Sequence, residues 1–362
     1  MTRAQIEFIE PTQRAADHNQ GRGGLDGRIP FHARALGPPL SIDCHQRSDI
    51  SAQRCDSISI MADSNTRRFA VLGLGLMGSR MAHHLISHGF ELSGFDVDSR
   101  RLAEAKARGV AIAGSPADAV QGCWGALLSL PNSDIAREVC LGENGLIGSG
   151  VGSLFVYDTT TGRPQDAEEI AAALDEVGIR YADATVSGNS QIAEIGELVV
   201  MVGGDETTYE RGVPVFEAIG RSHHHVGQTG SGSRMKLLVN HILTIHRMAL
   251  AEGLVVAELA GMNLDRALAV LKDSLAYSKA MDSWGERMIA ADHAQPFARV
   301  RQSHKDARLI VEHGETLGAP VDLVRVVRDA LAEGELSGLA DMDNGAIVEV
   351  LRRRVGLGRV AT

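Results

Sequence analysis

From Arg67 onward the chain alternates short apolar runs with amphipathic stretches at intervals of roughly 12 to 20 residues. FAVLG, ELSGFD, GALLSL, SLFVYD and IRYADA have the continuous apolar character of strands buried on both faces. Between them, MGSRMAHHLISHG, SRRLAEAKARG, SDIAREVC and RPQDAEEIAAALDEVG place apolar residues at helical spacing. Strand and helix in alternation predict a parallel sheet with crossover helices. LVVMVGG, a helix over Thr207–Ile219 and a strand near His224–Val226 extend the same layer. After Gly232 the rhythm changes. Ser233 to Leu259 reads as one proline-free helix ending at Gly261, followed by helices over 264–274, 280–291, 304–317, 321–333 and 344–353. Gly318 and Pro320 act as stop signals in that run. The expected architecture is a doubly wound α/β domain over 66–230, then an all-α domain over 231–355, joined by the long helix.

Residues 1–65 carry no sustained period of 2 or 3.6 and intersperse Gly, Pro, His, Asp and Arg. Such a stretch offers little apolar surface to offset its ordering entropy, so it reads as a disordered extension. Glu7, Glu10, Asp17 and Asp26 argue against a transit peptide, and there is no apolar segment of the secretory-signal kind. Met61, just ahead of the first strand, is an alternative start.

Composition narrows the classes. The 362 residues suggest two domains and are 44% hydrophobic and 23% charged, as in a globular chain. A net charge of -10 argues against a nucleic-acid partner. No apolar run approaches the roughly 20 residues that span a bilayer, so no membrane partner is expected. Cys44, Cys55, Cys123 and Cys140 have no metal-ligand or CxxC spacing, which fits a reducing cytoplasm and no metal.

The sharpest motif is Gly73-Leu74-Gly75-Leu76-Met77-Gly78, a G-x-G-x-x-G directly after a strand and directly before a helix. Gly73 permits the tight turn, Gly75 lets backbone approach a pyrophosphate, and Gly78 allows close helix–strand packing. The helix N-terminus then offers free N–H groups and a positive dipole end to phosphate. Asp96, 18 residues beyond Gly78 at the end of the second strand, can accept from ribose hydroxyls and repel a 2′-phosphate. That favours NAD, while Arg100 and Arg101 lie close enough to admit NADP.

With these features the sequence resembles the β-hydroxyacid dehydrogenase family, of the 3-hydroxyisobutyrate dehydrogenase and tartronate semialdehyde reductase kind. The GLGLMG loop, SLPNS at Ser129–Ser133, LGENGLI from Leu141 and DTTT at Asp158–Thr161 carry the resemblance. So do DATVSGN at Asp183–Asn189, GELVVMVGGD from Gly196, VGQTGSGSRMKLLVN ending at Asn240, and HKDARL with Lys305 and Asp306. The likeness extends from Phe69 to about Leu351. It implies that Lys236 is the catalytic lysine, exchanging a proton with the substrate oxygen during hydride transfer. Burial beside a cationic ring would lower its pKa and make it a usable acid–base. Asn240, one turn on, would orient the substrate. Ser187, Gly188 and Asn189 match the loop that holds the substrate carboxylate, with Asn189 in place of the usual second glycine. Val239 is a second departure, standing where many members have Asn. Thr161 and Lys305 match cofactor-contacting positions, and Leu130 and Pro131 would line the cofactor groove. A small carboxylate substrate and a homodimer or homotetramer assembled through the helical domain are implied as well.

Two histidine groups carry no metal expectation. His223, His224 and His225 alternate faces on a strand, and His84 and His88 lack the intervening acid of a zinc helix. Alternatives within the same fold are an imine reductase and a non-catalytic dinucleotide-binding protein. Lys236 argues against the first, and the presence of Ser187, Lys236 and Asn240 together against the second. A 6-phosphogluconate dehydrogenase would need a longer helical domain. The sequence does not choose among small 3-hydroxy acids.

Overall fold

The computed structural model describes residues 67–357; the expectations for residues 1–65 lie outside them. An eight-stranded sheet of order β3-β2-β1-β4-β5-β6-β7-β8 forms the first part. Its strands are β1 (Arg68–Leu72), β2 (Glu91–Phe95), β3 (Ala111–Ile112), β4 (Gly125–Leu128), β5 (Phe155–Asp158), β6 (Arg180–Ser187), β7 (Leu198–Gly203) and β8 (Gly220–Gly227). The connecting helices are α1 (Gly78–Ser87), α2 (Ser99–Ala107), α3 (Pro116–Ala119), α4 (Ser133–Leu141), α5 (Pro164–Asp175), α6 (Ser190–Glu194) and α7 (Glu206–Ile219). Side-chain alternation divides each strand between two cores. Phe69 and Val71 pack with Leu127 and Tyr157 on one face. Ala70 and Leu72 pack with Ala126 and Leu128 on the other. Both faces being covered explains why these strands read as unbroken apolar runs.

The sheet is not wholly parallel, as the alternation suggested. β1 to β6 pair in parallel, but β7 runs antiparallel to β6, with Ser187 opposite Val199. The cause is the connection. Residues 188–197 hold only the five-residue α6, too short for the crossover of a dozen or more residues that a parallel return demands. β8 then pairs in parallel with β7.

The second part is helical. It comprises α8 (Ser231–Leu259), α9 (Leu264–Asp273), α10 (Lys279–Ala290), α11 (Val300–Thr316), α12 (Asp322–Gly334) and α13 (Ile347–Arg354). α8 is 29 residues long and contributes Leu237, Met248, Leu250, Ala251 and Leu254 to the core of this part. It begins two residues earlier than its apolar pattern suggests, and α11 begins four residues before the expected His304. No helix of the described residues is long and apolar enough to cross a membrane.

The start of α8 is seated on β6. Both oxygens of the buried Asp183 accept backbone N–H bonds there, from Gly230 at 2.8 Å and Ser233 at 2.6 Å. The Thr185 hydroxyl donates to the Gly232 carbonyl at 2.8 Å. A Cβ on Gly232 would lie 2.1 Å from the Asp183 carbonyl oxygen, so no other residue permits this approach. A carboxylate at a helix N-terminus also complements the helix dipole. The seating fixes where the next turn of α8 projects its side chains.

Candidate active site

A cleft of about 820 Å³ runs between the C-terminal ends of the first strands and the helical part. One end is built by the glycine turn. Gly73 has φ +92°, and a Cβ there would come within 2.3 Å of the Ser129 carbonyl oxygen. A Cβ on Gly78 would lie 2.0 Å from the Gly73 carbonyl oxygen. These two glycines are demanded by the protein's own packing. Gly75 is not, since the nearest atom to a Cβ there is the Arg101 guanidinium at 3.5 Å. Its bare backbone instead faces the cleft, which suits close approach of a ligand. α1 has neither a side-chain cap nor an acid in its first turn, so its N–H groups and positive dipole end remain for an anion. These residues fit a dinucleotide pyrophosphate.

Gly73, Gly75, Leu76 and Met77 line the cleft, whereas Leu74 turns its side chain into the sheet core. The Leu74 N–H donates to Asp96 Oδ2 at 2.7 Å. Asp98 N–H donates to Asp96 Oδ1 at 2.8 Å, and Arg101 lies 3.5 Å from Oδ2. Asp96 therefore has a duty the sequence does not reveal, fastening the glycine turn to the end of β2. It is buried yet lines the cleft, so its charge and remaining lone pairs are available to a ribose.

Leu130, Pro131 and Thr161 stand together on the same wall. Lys305, on α11, donates to the Thr161 carbonyl at 2.7 Å and to the Pro131 carbonyl at 3.2 Å. It thereby ties the helical part to two loops of the cleft wall.

Lys236 projects from the second turn of α8. Its Nζ donates to the Val186 carbonyl at 2.7 Å, one residue before Ser187. Burial holds this ammonium below the ordinary lysine range; Asp306 opposes the shift and Lys305 adds to it. Asn240 lies one turn on and its Nδ2 donates to Asp306 Oδ2 at 3.1 Å. In the sequence Asp306 is only one residue of HKDARL; no spacing pattern signals that α11 brings it against α8. Ser187 and Gly188 also line the cleft. Gly188 has φ +143°, and a Cβ there would meet Leu198 at 2.6 Å. Asn189 reaches the cleft as well, but its side-chain oxygen caps α6 by accepting from Ile192 N–H at 3.0 Å. Its amide oxygen thus shapes the loop, and this is how Asn is accommodated where glycine is usual. Val239 lines the cleft beside Lys236.

The consecutive histidines do other work. His223 Nδ1 shares a 2.8 Å hydrogen bond with the Tyr209 hydroxyl, and His225 stacks on the Tyr209 ring. Among the described residues no group of His, Cys, Asp and Glu is arranged to hold a metal ion.

Comparison with known proteins agrees with this geometry. Residues 68–227 match the NAD-binding domain of 6-phosphogluconate dehydrogenase. Residues 230–351 match the NAD-binding domain of NADP-dependent 3-hydroxyisobutyrate dehydrogenase. The 2-(hydroxymethyl)glutarate dehydrogenase of Eubacterium barkeri is 30% identical over 291 residues, spanning 80% of this chain and 96% of the relative. A solved Mycobacterium tuberculosis 3-hydroxyisobutyrate dehydrogenase with L-serine is 28% identical, with a TM-score of 0.72 over 79% of this chain and 99% of that one. An imine reductase from Pseudomonas sp., 17% identical with a TM-score of 0.53, covers 79% of this chain and 99% of its own and shares the fold alone. The chain belongs to the 3-hydroxyisobutyrate dehydrogenase/β-hydroxyacid dehydrogenase family and is an NAD(P)-dependent oxidoreductase acting on a CH–OH group.

Proposed function

We propose that the protein interconverts a small 3-hydroxy acid and its semialdehyde or keto acid, with Lys236 as the general acid–base and NAD as the preferred dinucleotide. The observation that carries this reading is the 2.7 Å bond from Lys236 to the Val186 carbonyl. It sets a buried amine of lowered pKa beside Ser187, on the wall that the glycine turn also lines. Gly73 to Gly78, Asp96, Leu130, Pro131 and Thr161 would hold the dinucleotide, which supplies the hydride acceptor or donor. Lys305 would act by fixing the groove loops.

Ser187 and backbone N–H groups near Gly188 bind the substrate carboxylate, since a hydroxyl and amides hold an oxyanion without adding charge. Asn240 orients the reacting hydroxyl and is itself oriented by Asp306. In the oxidation direction, Lys236 in its neutral form accepts the hydroxyl proton as hydride leaves the carbon that bears that hydroxyl. In reduction its ammonium returns the proton to the carbonyl oxygen. Burial favours this duty because it brings the amine's pKa toward working pH. The names of the relatives support a hydroxy acid or semialdehyde substrate, one being a glyoxylate/succinic semialdehyde reductase of Arabidopsis thaliana and one a 3-sulfolactaldehyde reductase of Escherichia coli. A screen of short hydroxy acids and semialdehydes with both dinucleotides tests the reading. Turnover of none would end it.

A further inference from the structure

A buried cation stands apart from the chemistry described so far. Arg247 lies on α8, 11 residues beyond Lys236. At 3.6 residues per turn that is three turns, on nearly the same face and about 16 Å along the axis. The guanidinium lines the cleft and is only 3% exposed. Its Nη2 donates to Thr244 Oγ1 at 2.9 Å, and the group lies over the Trp284 ring, 5.0 Å from the centroid. Among the described residues no carboxylate lies within ion-pair distance of it.

The other arginine buried this deeply among the described residues, Arg352, also leaves one nitrogen without a partner, but its charge is paired. Arg352 donates to Glu258 at 2.8 Å and Glu349 at 2.7 Å. Neither of the acids whose charges reach Arg247, Asp343 and Asp306, forms an ion pair with it. Asp343 accepts from Arg287, Phe297 N–H and Gly345 N–H. Asp306 Oδ2 accepts from Asn240, and its Oδ1, which takes no hydrogen bond, lies 3.4 Å from Lys305. The Arg247 Nε has no hydrogen-bond partner, and neither does Nε1 of Trp284, which lines the same stretch of cleft. Two N–H donors, one of them cationic, are thus buried at the cleft wall without an acceptor. Burial pushes the guanidinium down to about 10, a penalty that Asp343 and Asp306 oppose. An uncompensated buried charge is costly, and an anion delivered by a ligand would relieve it.

We propose that Arg247, with Trp284 beside it, binds a second anionic group at the far end of the substrate, so that the preferred substrate is a hydroxy-dicarboxylate and not a monocarboxylate. This rests on the dehydrogenase reading above, in which the first carboxylate sits at Ser187 and the reacting carbon at Lys236. Arg247 lies over Trp284 of α10, three turns of α8 beyond Lys236, whereas the pyrophosphate fits the glycine turn. A guanidinium prefers a planar carboxylate that it can meet with two N–H groups.

The test compares kcat/KM for 2-(hydroxymethyl)succinate, 2-(hydroxymethyl)glutarate and 2-(hydroxymethyl)adipate with analogues in which the distal carboxylate is a methyl group. A sulfonate analogue forms a further arm. The wild-type enzyme should favour the best dicarboxylate over its methyl analogue by roughly 10- to 100-fold, the worth of a charged hydrogen bond. Sulfonate preferred over carboxylate at every length would overturn the dicarboxylate assignment. Arg247→Met should collapse the ratio to within about threefold of unity, with Arg247→Lys between. Because the cation is unpaired, Arg247→Met should also keep or raise the melting temperature. A structural arginine would instead lower stability and depress both substrates together, leaving the ratio intact. Calorimetric titration of 2-(hydroxymethyl)glutarate into the NAD-saturated protein separates the two readings. Turnover of monocarboxylates with no dicarboxylate preference at any chain length overturns the Arg247 proposal alone. Arg247-dependent binding without hydride transfer supports the anion site and overturns the dehydrogenase reading.

Discussion

The Lys305 ammonium on α11 lies 2.7 Å from the Thr161 carbonyl oxygen after β5, across the junction between the helical and sheet parts. With its second bond to Pro131, it holds two loops of the cleft wall, where the dinucleotide is proposed to bind, against α11. Hydrogen bonds from a charged donor contribute about 1.5–3 kcal/mol when buried, and less here because the lysine is partly exposed. Lys305→Met should therefore weaken dinucleotide binding by roughly tenfold, measured by titration calorimetry. Unchanged affinity would show that the junction is held by other contacts.

Asp96 gives a prediction with two readouts. Its charge disfavours a 2′-phosphate, so Asp96→Ser should lower the ratio of NAD to NADP kcat/KM by about tenfold or more. Because Oδ2 also fastens Leu74 N–H, the same change should raise KM for both dinucleotides. A wild-type preference for NADP would refute the assignment of NAD.

Asp183 links pH to stability. Burial is the main cause that raises its carboxyl to about 6, against the lowering effect of its bonds from Ser233 and Gly230. An unfolded Asp titrates near 3.9, so the folded chain holds this proton more tightly between about pH 4 and 6. The stabilisation tied to that proton is complete below the unfolded value and is lost as pH rises through about 6. Asp183→Asn removes the titration. The stability of the wild type minus that of Asp183→Asn should fall between pH 4 and 7 in denaturant melts. The fall should total about 2–3 kcal/mol, since a tenfold difference in proton affinity is worth about 1.4 kcal/mol. A flat difference would show that the carboxylate stays ionised under its two N–H donors.

Much of this was legible in the sequence for one physical reason. Strands covered on both faces must be apolar throughout, and a long helix must keep its period. β3 escaped because Ala111 and Ile112 form a two-residue edge strand, both exposed, and the apolar run around them is only four residues, Val110–Ala113. The reversal of β7 escaped because Val200, Met201 and Val202 are buried whichever way the strand runs; only the short 188–197 link carried the direction. At the site, the expectation that the glycine turn and Lys236 share one cleft was readable because their motifs are local. Asp306 and Arg247 were not. Their meaning depends on which partners the fold supplies or withholds, and an arginine on a long helix otherwise reads as a solvated face.

The decisive prediction concerns Lys236. Removing its side chain takes away the proposed acid–base group but leaves the glycine turn, Asp96 and the Lys305 junction in place. Lys236→Ala should therefore keep NAD affinity within about threefold while lowering kcat by roughly 10²–10⁴, the range for a positioned acid–base residue. Lys236→Arg should rescue little, because a guanidinium stays protonated and cannot accept the hydroxyl proton. The pH profile supplies the sign. Burial lowers the lysine's pKa, so wild-type oxidation should rise with pH as the neutral amine forms and reduction should fall over the same interval. Lys236→Ala should flatten both limbs. Retention of more than about a tenth of wild-type kcat on the best substrate, with the pH limbs intact, would move the proton transfer to another group. Asn240 could not take it over, since an amide does not titrate in this range. The bond from Lys236 to the Val186 carbonyl would then serve only to seat α8 on β6.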